Sequence, residues 1–260
     1  MIPVDTPPLL GNQYFEPPLR ALAYFDILGI GDLMKVDYNS AADKIEQLLG
    51  IIADAAEDHL SLGAELRSFS DSVFLSMPME ATLDDSINDL KEFCCLISKI
   101  MSVSLPSEIP LSGAISIGKT RTVPRHRVLD SYYISCRAVW EVVRWESAQK
   151  WVGISFVPPR VVDEDNTTGL FYTRKDYYRN ALNVLEHSNL VLKHRIPASG
   201  EMVRGKTTEA YALCWTRSSF DSLSNTLNGV LNQIDDDSIR PRYEATLKFI
   251  KYQIRKGVGP

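Results

Sequence analysis

Apolar residues recur along this chain with two different periods, and the alternation between them sketches a fold. "LRALAYFDI", residues 19–27, is short and densely apolar, which predicts a strand. "DYNSAADKIEQLLGIIADAAEDHL", 37–60, places Ile45, Leu48, Leu49 and Ile52 at three- and four-residue steps, the spacing of one helical face. "AELRSF" and "SVFLSMP" predict two strands around a tight Ser70–Asp71 turn, a hairpin. "TLDDSINDLKEFCCLISKIMSVSL" predicts a second helix, with Thr82 as its N-cap and acids in its first turn. "LSGAISIGK" predicts another strand. "TRTVPRH" reads as a basic loop, "VLDSYYISCRAVWEVVRWESAQ" as one long helix, and "WVGISFVPP" as a strand stopped by two prolines. "VVDEDNTTGL" reads as a disordered polar insertion. "LVLKHRI" and "TEAYALCW" predict two late strands, and "SSFDSLSNTLNGVLNQI" and "RYEATLKFIKYQIRK" two closing helices.

This order predicts an α/β (α+β) sandwich with a mixed sheet. The hairpin in its middle argues against a doubly wound parallel sheet, and the opening β-α-β-β-α-β run is ferredoxin-like. With 260 residues, 45% of them hydrophobic, the chain can bury one large core.

Charge narrows the partners. A net charge of -5 speaks against general nucleic-acid binding. No run reaches the ~18 apolar residues of a membrane span. The N-terminus, "MIPVDTPPLLGNQYFEPPLR", lacks a basic start and an apolar middle and reads as an irregular arm. Cys94, Cys95, Cys136 and Cys214 form no C-x-x-C pair, so they read as buried thiols in a reducing cytoplasm, not as a zinc site or disulfides.

Two aspartates carry the candidate chemistry. Leu22, Tyr24 and Asp26 alternate onto one face of the first strand, and Asp26 ends it before "ILGIG". Small residues there let the amides of Leu28, Gly29 and Ile30 approach phosphate oxygens. Asp26 also suits a plain turn, and Asp71 a plain hairpin tip. In a β-α-β-β unit, however, the first strand and the hairpin are sheet neighbours. Two carboxylates converging there repel unless a cation lies between them. Oxygen-only ligands suit Mg²⁺ or Mn²⁺, and two such ions ~3.5–4 Å apart are the usual clamp for in-line attack at phosphorus.

"FDILGIGDL", "RSFSDSVF", "SGAISIGK" and "YISCRAVW" together resemble the class III nucleotide cyclases over residues 20–215. The Asp26-to-Asp71 separation, 45 residues (71 − 26), is close to that family's spacing. Within the family, "FDILG", "SDS" without the usual Gly-Asp, and "RYEATLKFI" resemble the bacterial pyrimidine cyclases of the Pycsar anti-phage systems. The resemblance implies an irregular arm at 1–19, a catalytic domain at 20–216, and C-terminal helices at 217–260 packed on it. Asp26 and Asp71, with the Ile27 carbonyl, would hold two divalent ions, Mg²⁺ or Mn²⁺. The ribose 3′-oxygen would attack the α-phosphorus and release pyrophosphate.

The family carries Asn-x-x-x-Arg on its long helix, and this chain reads Tyr133-x-x-x-Arg137. Arg137 would stabilise the α-phosphate in the transition state. A four-residue step would place both on one helical face. Tyr133 would hold the ribose, stack on it, or pack in the core. Arg67 takes the position of a base-reading lysine, and its planar fork of donors suits uracil carbonyls. The acidic base-reading partner of adenylyl cyclases would fall near His126, where no carboxylate stands. Tyr24 is bulky enough to shrink the base pocket towards pyrimidines. Arg204 or Lys206 would reach the triphosphate, and Arg121 and Arg125 are further basic candidates. The implied protein is a cytoplasmic homodimer with two sites at its interface, without nucleic-acid or membrane partners. It would convert UTP to cyclic UMP, a messenger for a separate effector protein in anti-phage defence. CTP is the alternative substrate, and a non-catalytic nucleotide-binding regulator the alternative class.

Overall fold

A computed structural model of the chain describes residues 19–57, 63–80, 83–119, 121–123, 133–135, 137–162, 174–200, 203, 206–215, 217–234 and 236–260. The elements run β1 (Leu19–Ile27), α1 (Ile30–Val36), α2 (Tyr38–Ala56), β2 (Glu65–Phe69), β3 (Ser72–Pro78), α3 (Leu83–Ser104) and β4 (Leu111–Lys119). They continue with β5 (Arg121–Val123), β6 (Tyr133–Ser135), α4 (Arg137–Ala148), β7 (Gly153–Phe156), α5 (Arg174–His187), β8 (Val191–Pro197), β9 (Thr207–Leu213), α6 (Phe220–Gln233) and α7 (Arg240–Lys256).

Seven strands form one mixed sheet in the order β2-β3-β1-β4-β7-β9-β8. β1 lies between β3 and β4, antiparallel to both, and β4 pairs with β7 in parallel. The β2-β3-β1-β4 half has the ferredoxin-like arrangement expected from the element order. Odd positions of β1 (Ala21, Ala23, Phe25, Ile27) are fully buried and share one core with Leu48 and Ile52 of α2 and Leu90, Phe93 and Ile97 of α3. Even positions face α4. Ser116, opposite Leu22 in the ladder, donates to Glu141 of α4 at 3.2 Å, and Trp145 Nε1 donates to Ser155 Oγ at 2.9 Å. Tyr24 and Asp26, at the end of the same face, stay half-buried.

The closing helices join this core. Leu223 and Leu227 of α6 are buried, and Thr246 of α7 exchanges hydrogen bonds with the Val152 backbone at 3.1 and 2.6 Å. Cys94 and Cys214 are buried free thiols and Cys95 is half-buried, while Cys136 lies outside the described residues. Among the described residues no helix is long and apolar enough to cross a membrane. The arm at 1–18, Thr82 and most of "VVDEDNTTGL" lie outside the described residues.

Departures from the sequence reading have physical causes. Arg121–Val123, within the expected loop, and Tyr133–Ser135, within the expected long helix, pair instead as a two-stranded sheet, with Val123 opposite Tyr133 and Thr122 opposite Ile134, and α4 spans Arg137–Ala148. Thr, Val, Tyr and Ile favour that pleated pairing once a partner exists. The "IGDLMKV" stretch, to which the sequence reading assigned no element, coils into α1. Asp37 then caps α2, accepting from Ser40 N at 3.1 Å. Helix α5 has no counterpart in the sequence reading. Its Tyr177 and Tyr178 are buried, and their hydroxyls donate to Ser86 Oγ (2.8 Å) and Val157 O (2.8 Å). These tyrosines dilute the apolar stripe that periodicity detects.

Gly113 of β4 tests how tightly β1 is held. A Cβ there would stand 2.8 Å from Phe25 Cβ, 2.8 Å from Tyr24 O and 3.0 Å from Ile154 Cγ1. Gly113→Ala should lower unfolding stability in urea by about 1–3 kcal/mol, the usual cost of overpacking. A midpoint unchanged from wild type would show that β1 can yield.

Candidate active site

Register brings the two aspartates together. Asp26 stands opposite Ser72 at the start of β3, and Ile27 N donates to Asp71 O at 3.3 Å. Ser70 completes the tip in the left-handed region, at φ 56°. It takes there a conformation that glycine adopts more easily, the residue usual at this point of the family resembled.

Ser72 Oγ donates to Asp26 Oδ1 at 2.9 Å and lies 2.9 Å from Tyr24 Oη. A hydroxyl has one hydrogen, so Tyr24 donates to Ser72. Burial pushes the Asp26 carboxyl up to about 6, Ser72 pulls it back, and the Asp71 charge pushes it further up. Burial likewise raises Tyr24, with the Asp26, Glu146 and Asp71 charges adding to the shift. Glu146, near the end of α4, is a third carboxylate in this neighbourhood. Burial raises it and the Asp26 charge raises it further, while the Lys150 charge and the Ser147 hydroxyl pull it back. Sequence reasoning missed Glu146 because it lies 120 residues from Asp26 (146 − 26) in a helix that reads as merely amphipathic. The only trace in sequence was an acid one step off the buried stripe of Glu141, Val142 and Trp145.

Among the described residues, no cationic side chain is one of the groups that act on Asp26. Among the described residues, no group of three or more His, Cys, Asp or Glu gathers to hold a metal by protein ligands alone. Hard divalent cations complete their oxygen shells with water and phosphate. Asp26, Asp71 and the Ile27 carbonyl therefore fit such an ion as a partial donor set.

The remaining candidates separate into two groups. Arg67 lies on the same sheet face as Tyr24, through the row Arg67–Phe74–Tyr24, and the Tyr24 and Phe74 rings are 4.7 Å apart. At the turn, Leu28 N is taken by Pro110 O at 2.9 Å, and Gly29 is left-handed at φ 82°. Arg137, by contrast, opens α4. Its Nε is 3.8 Å from Oε1 of the fully buried Glu141, and its Cζ is 5.6 Å from the Trp140 ring. Nine residues of helix, a rise of ~13.5 Å, separate Arg137 from Glu146. Lys206 is exposed at the start of β9, three strands or ~14 Å across the sheet from β1. The structure thus brings Asp26, Asp71, Tyr24 and Arg67 together and leaves Arg137 and Lys206 apart. Tyr133 is corrected: it lies on β6, not on α4, so a four-residue step does not put it on the helical face of Arg137. The Tyr133 side chain, Arg204, His126, Arg125 and the side chain of Arg121 lie outside the described residues.

No protein-family model and no curated protein matches the chain. Solved structures do. A dimeric guanylyl cyclase domain of the RhoGC fusion protein from the aquatic fungus Blastocladiella emersonii is 9% identical, with 76% of this chain and 95% of that domain covered, at a TM-score of 0.51. A monomeric double mutant of the same guanylyl cyclase domain is 10% identical, with 76% and 96% covered, at 0.50. The mixed α/β fold of this chain is that of the class III cyclase domains.

The raised Asp26 has a sign that can be measured. Its folded-state value, about 6, exceeds the ordinary 3.8, so its contribution to stability is complete below pH 3.8 and is lost as pH rises through 6. Asp26→Asn should therefore be more stable than wild type at pH 7.5, by about 1 kcal/mol after solvent screening, and equal to it at pH 3.5. Thermal melts without divalent cations check this. Adding Mn²⁺ should raise the wild-type melting temperature and leave Asp26→Asn unmoved. Equal response of both proteins would remove Asp26 from the cation site.

Proposed function

We propose that this chain is a nucleotide cyclase that converts UTP to cyclic 3′,5′-UMP and pyrophosphate, acting as a cytoplasmic homodimer. The observation that carries this reading is the division of the site. Asp26 and Asp71 share one end of a cyclase-fold sheet, whereas Arg137 opens a helix whose rise sets it ~13.5 Å from Glu146, the acid that feels the Asp26 charge. Two chains related by a twofold axis would bring the Arg137 of one to the aspartates of the other, giving two equivalent sites.

Asp26, Asp71 and the Ile27 carbonyl would hold Mg²⁺ or Mn²⁺. When bound, such ions lower the pKa of the ribose 3′-hydroxyl and neutralise the triphosphate. The residues of the chain do the rest. Ser72 fixes one Asp26 oxygen and leaves the other for the cation. The amides of Gly29 and Ile30 face the phosphates. Arg67 donates to uracil carbonyls, and Tyr24, braced on Ser72 and Phe74, limits the room for a larger base. Arg137 of a second copy meets the charge that grows on the α-phosphate as the 3′-oxygen bonds to phosphorus and the bond to the β-phosphate oxygen breaks. Lys206 or Arg204 of that copy would bind the leaving pyrophosphate. Cyclic UMP would then act on a separate effector, in anti-phage defence.

The purified protein should form cyclic UMP when given UTP and Mn²⁺, and not the cyclic products of ATP or GTP, as read by mass spectrometry. Asp71→Ala should lower turnover at least ~100-fold. Asp26→Ala and Arg137→Ala, each inactive alone, should recover about one quarter of wild-type activity when equal amounts are mixed and allowed to exchange subunits, because half the dimers then carry one intact site of two. Nucleotide binding without any cyclic product would instead make the site a regulatory cradle.

A further inference from the structure

The face of β1, β3 and β2 that carries Tyr24 also carries a charged cluster. Glu65 and Ser76 stand in register with Leu22, one row beyond the Arg67–Phe74–Tyr24 row. Glu65 lies between two arginines. Its Oε1 is 3.3 Å from Arg20 Nη2, and its Oε2 is 3.8 Å from Arg67 Nη2. Arg20 is only 6% exposed, and its Nη2 also donates to Gly63 O at 3.4 Å.

This arrangement is expensive as pure structure. Burying charges costs more than a loose pair returns. Among the described residues, the buried atoms Arg20 Nε, Glu65 Oε2 and Ser76 Oγ of this cluster have no hydrogen-bond partner. Each such group costs about 1–3 kcal/mol unless something satisfies it. Glu65 Oε2 is an acceptor without a donor, beside the donor fork of Arg67. Along the strand, the Arg67 row is two residues, ~7 Å, from the Asp26 row, and the Glu65 row is four, ~13 Å. A nucleotide with its phosphates at Asp26 lays its base over these rows.

We infer that Glu65 is a base-reading residue that accepts the N3–H of uracil while Arg67 donates to the neighbouring carbonyl, and that Arg20 is the positioning residue that holds Glu65 in place. The pair presents an acceptor next to a donor. Uracil offers the complement, N3–H beside C=O. In the same register cytosine sets its bare N3 against the carboxylate, and it can match the pair only by sliding one position, with its amino group on Glu65 and N3 on Arg67. With the register held by a triphosphate anchored at Asp26, the cluster selects UTP over CTP, a choice that Tyr24 cannot make because the two bases are nearly the same size. This deepens the cyclase reading and rests on it.

The test is binding, which needs no turnover. Affinities for UTP and CTP are measured by calorimetry with Ca²⁺ in place of the catalytic ion, for wild type, Glu65→Gln, Glu65→Asp and Arg20→Lys. Wild type should prefer UTP by at least about tenfold. Glu65→Gln should erase that preference, because an amide can turn either atom to the base. Glu65→Asp, shorter by one methylene, and Arg20→Lys, which lacks the fork, should each reduce it several-fold, with unchanged melting temperatures. A merely structural role would weaken both nucleotides equally. A wild-type preference for UTP that survives in Glu65→Gln overturns this inference alone. Wild-type protein that binds neither pyrimidine triphosphate overturns it together with the cyclase reading.

Discussion

The pairing of β1 on both edges is the constraint on which the site depends. Its ladder with β3 sets Asp26 against Ser72, and its ladder with β4 sets Asp26 against Ser112. A slip of one residue in either would send Asp26 into the apolar core and Phe25 out of it. Gly113 lets β4 lie close against Phe25 and the Tyr24 backbone. The position of a single carboxylate is therefore guarded by the packing of a whole strand.

That carboxylate works against the fold that holds it. Burial and the Asp71 charge both disfavour its charged form, and the hydroxyl of Ser72 offsets only part of this. Asp26, Asp71 and Glu146 concentrate negative charge at one end of the sheet, where electrostatics favour a cation and stability alone favours neutral side chains. Tension of this kind belongs to sites that bind something, because an empty structure gains nothing from it. Helix α4 links this end to the opposite pole of charge. Its buried stripe of Glu141, Val142 and Trp145 lies on the sheet, the Asp26 charge reaches Glu146 near one end, and Arg137 is anchored at the other end by Glu141. The rigidity of the helix keeps Arg137 and Glu146 at opposite ends of α4.

Much of this was legible in the sequence. Wherever a segment had one strong period, as in "LRALAYFDI", the 37–60 helix or the two strands around Ser70 and Asp71, the element formed. The convergence of Asp26 and Asp71 followed from the β-α-β-β order and needed no side-chain detail. Segments with mixed character were not legible. "YYISCRAVW" holds β-branched and aromatic residues that suit a strand and a helical spacing that suits a helix. Pairing with "RTV" decided between them and moved Tyr133 off the helix. The stretch "RKDYYRNALNVLEH" hides its buried face behind tyrosines whose hydroxyls are satisfied by Ser86, Val157 and Ile115, partners outside the helix.

The sequence by itself determined the elements with one strong period, the ferredoxin-like order and the two candidate aspartates, because periodicity and chain order are local properties. The tertiary structure alone decided the company those aspartates keep. Glu146 of α4 within reach of the Asp26 charge, the Tyr24–Ser72–Asp26 chain and the Arg20–Glu65–Arg67 cluster join residues from different strands and a helix. Sheet register and the packing of a helix on the sheet set such neighbours, since they gather side chains far apart in the chain and take water away from them.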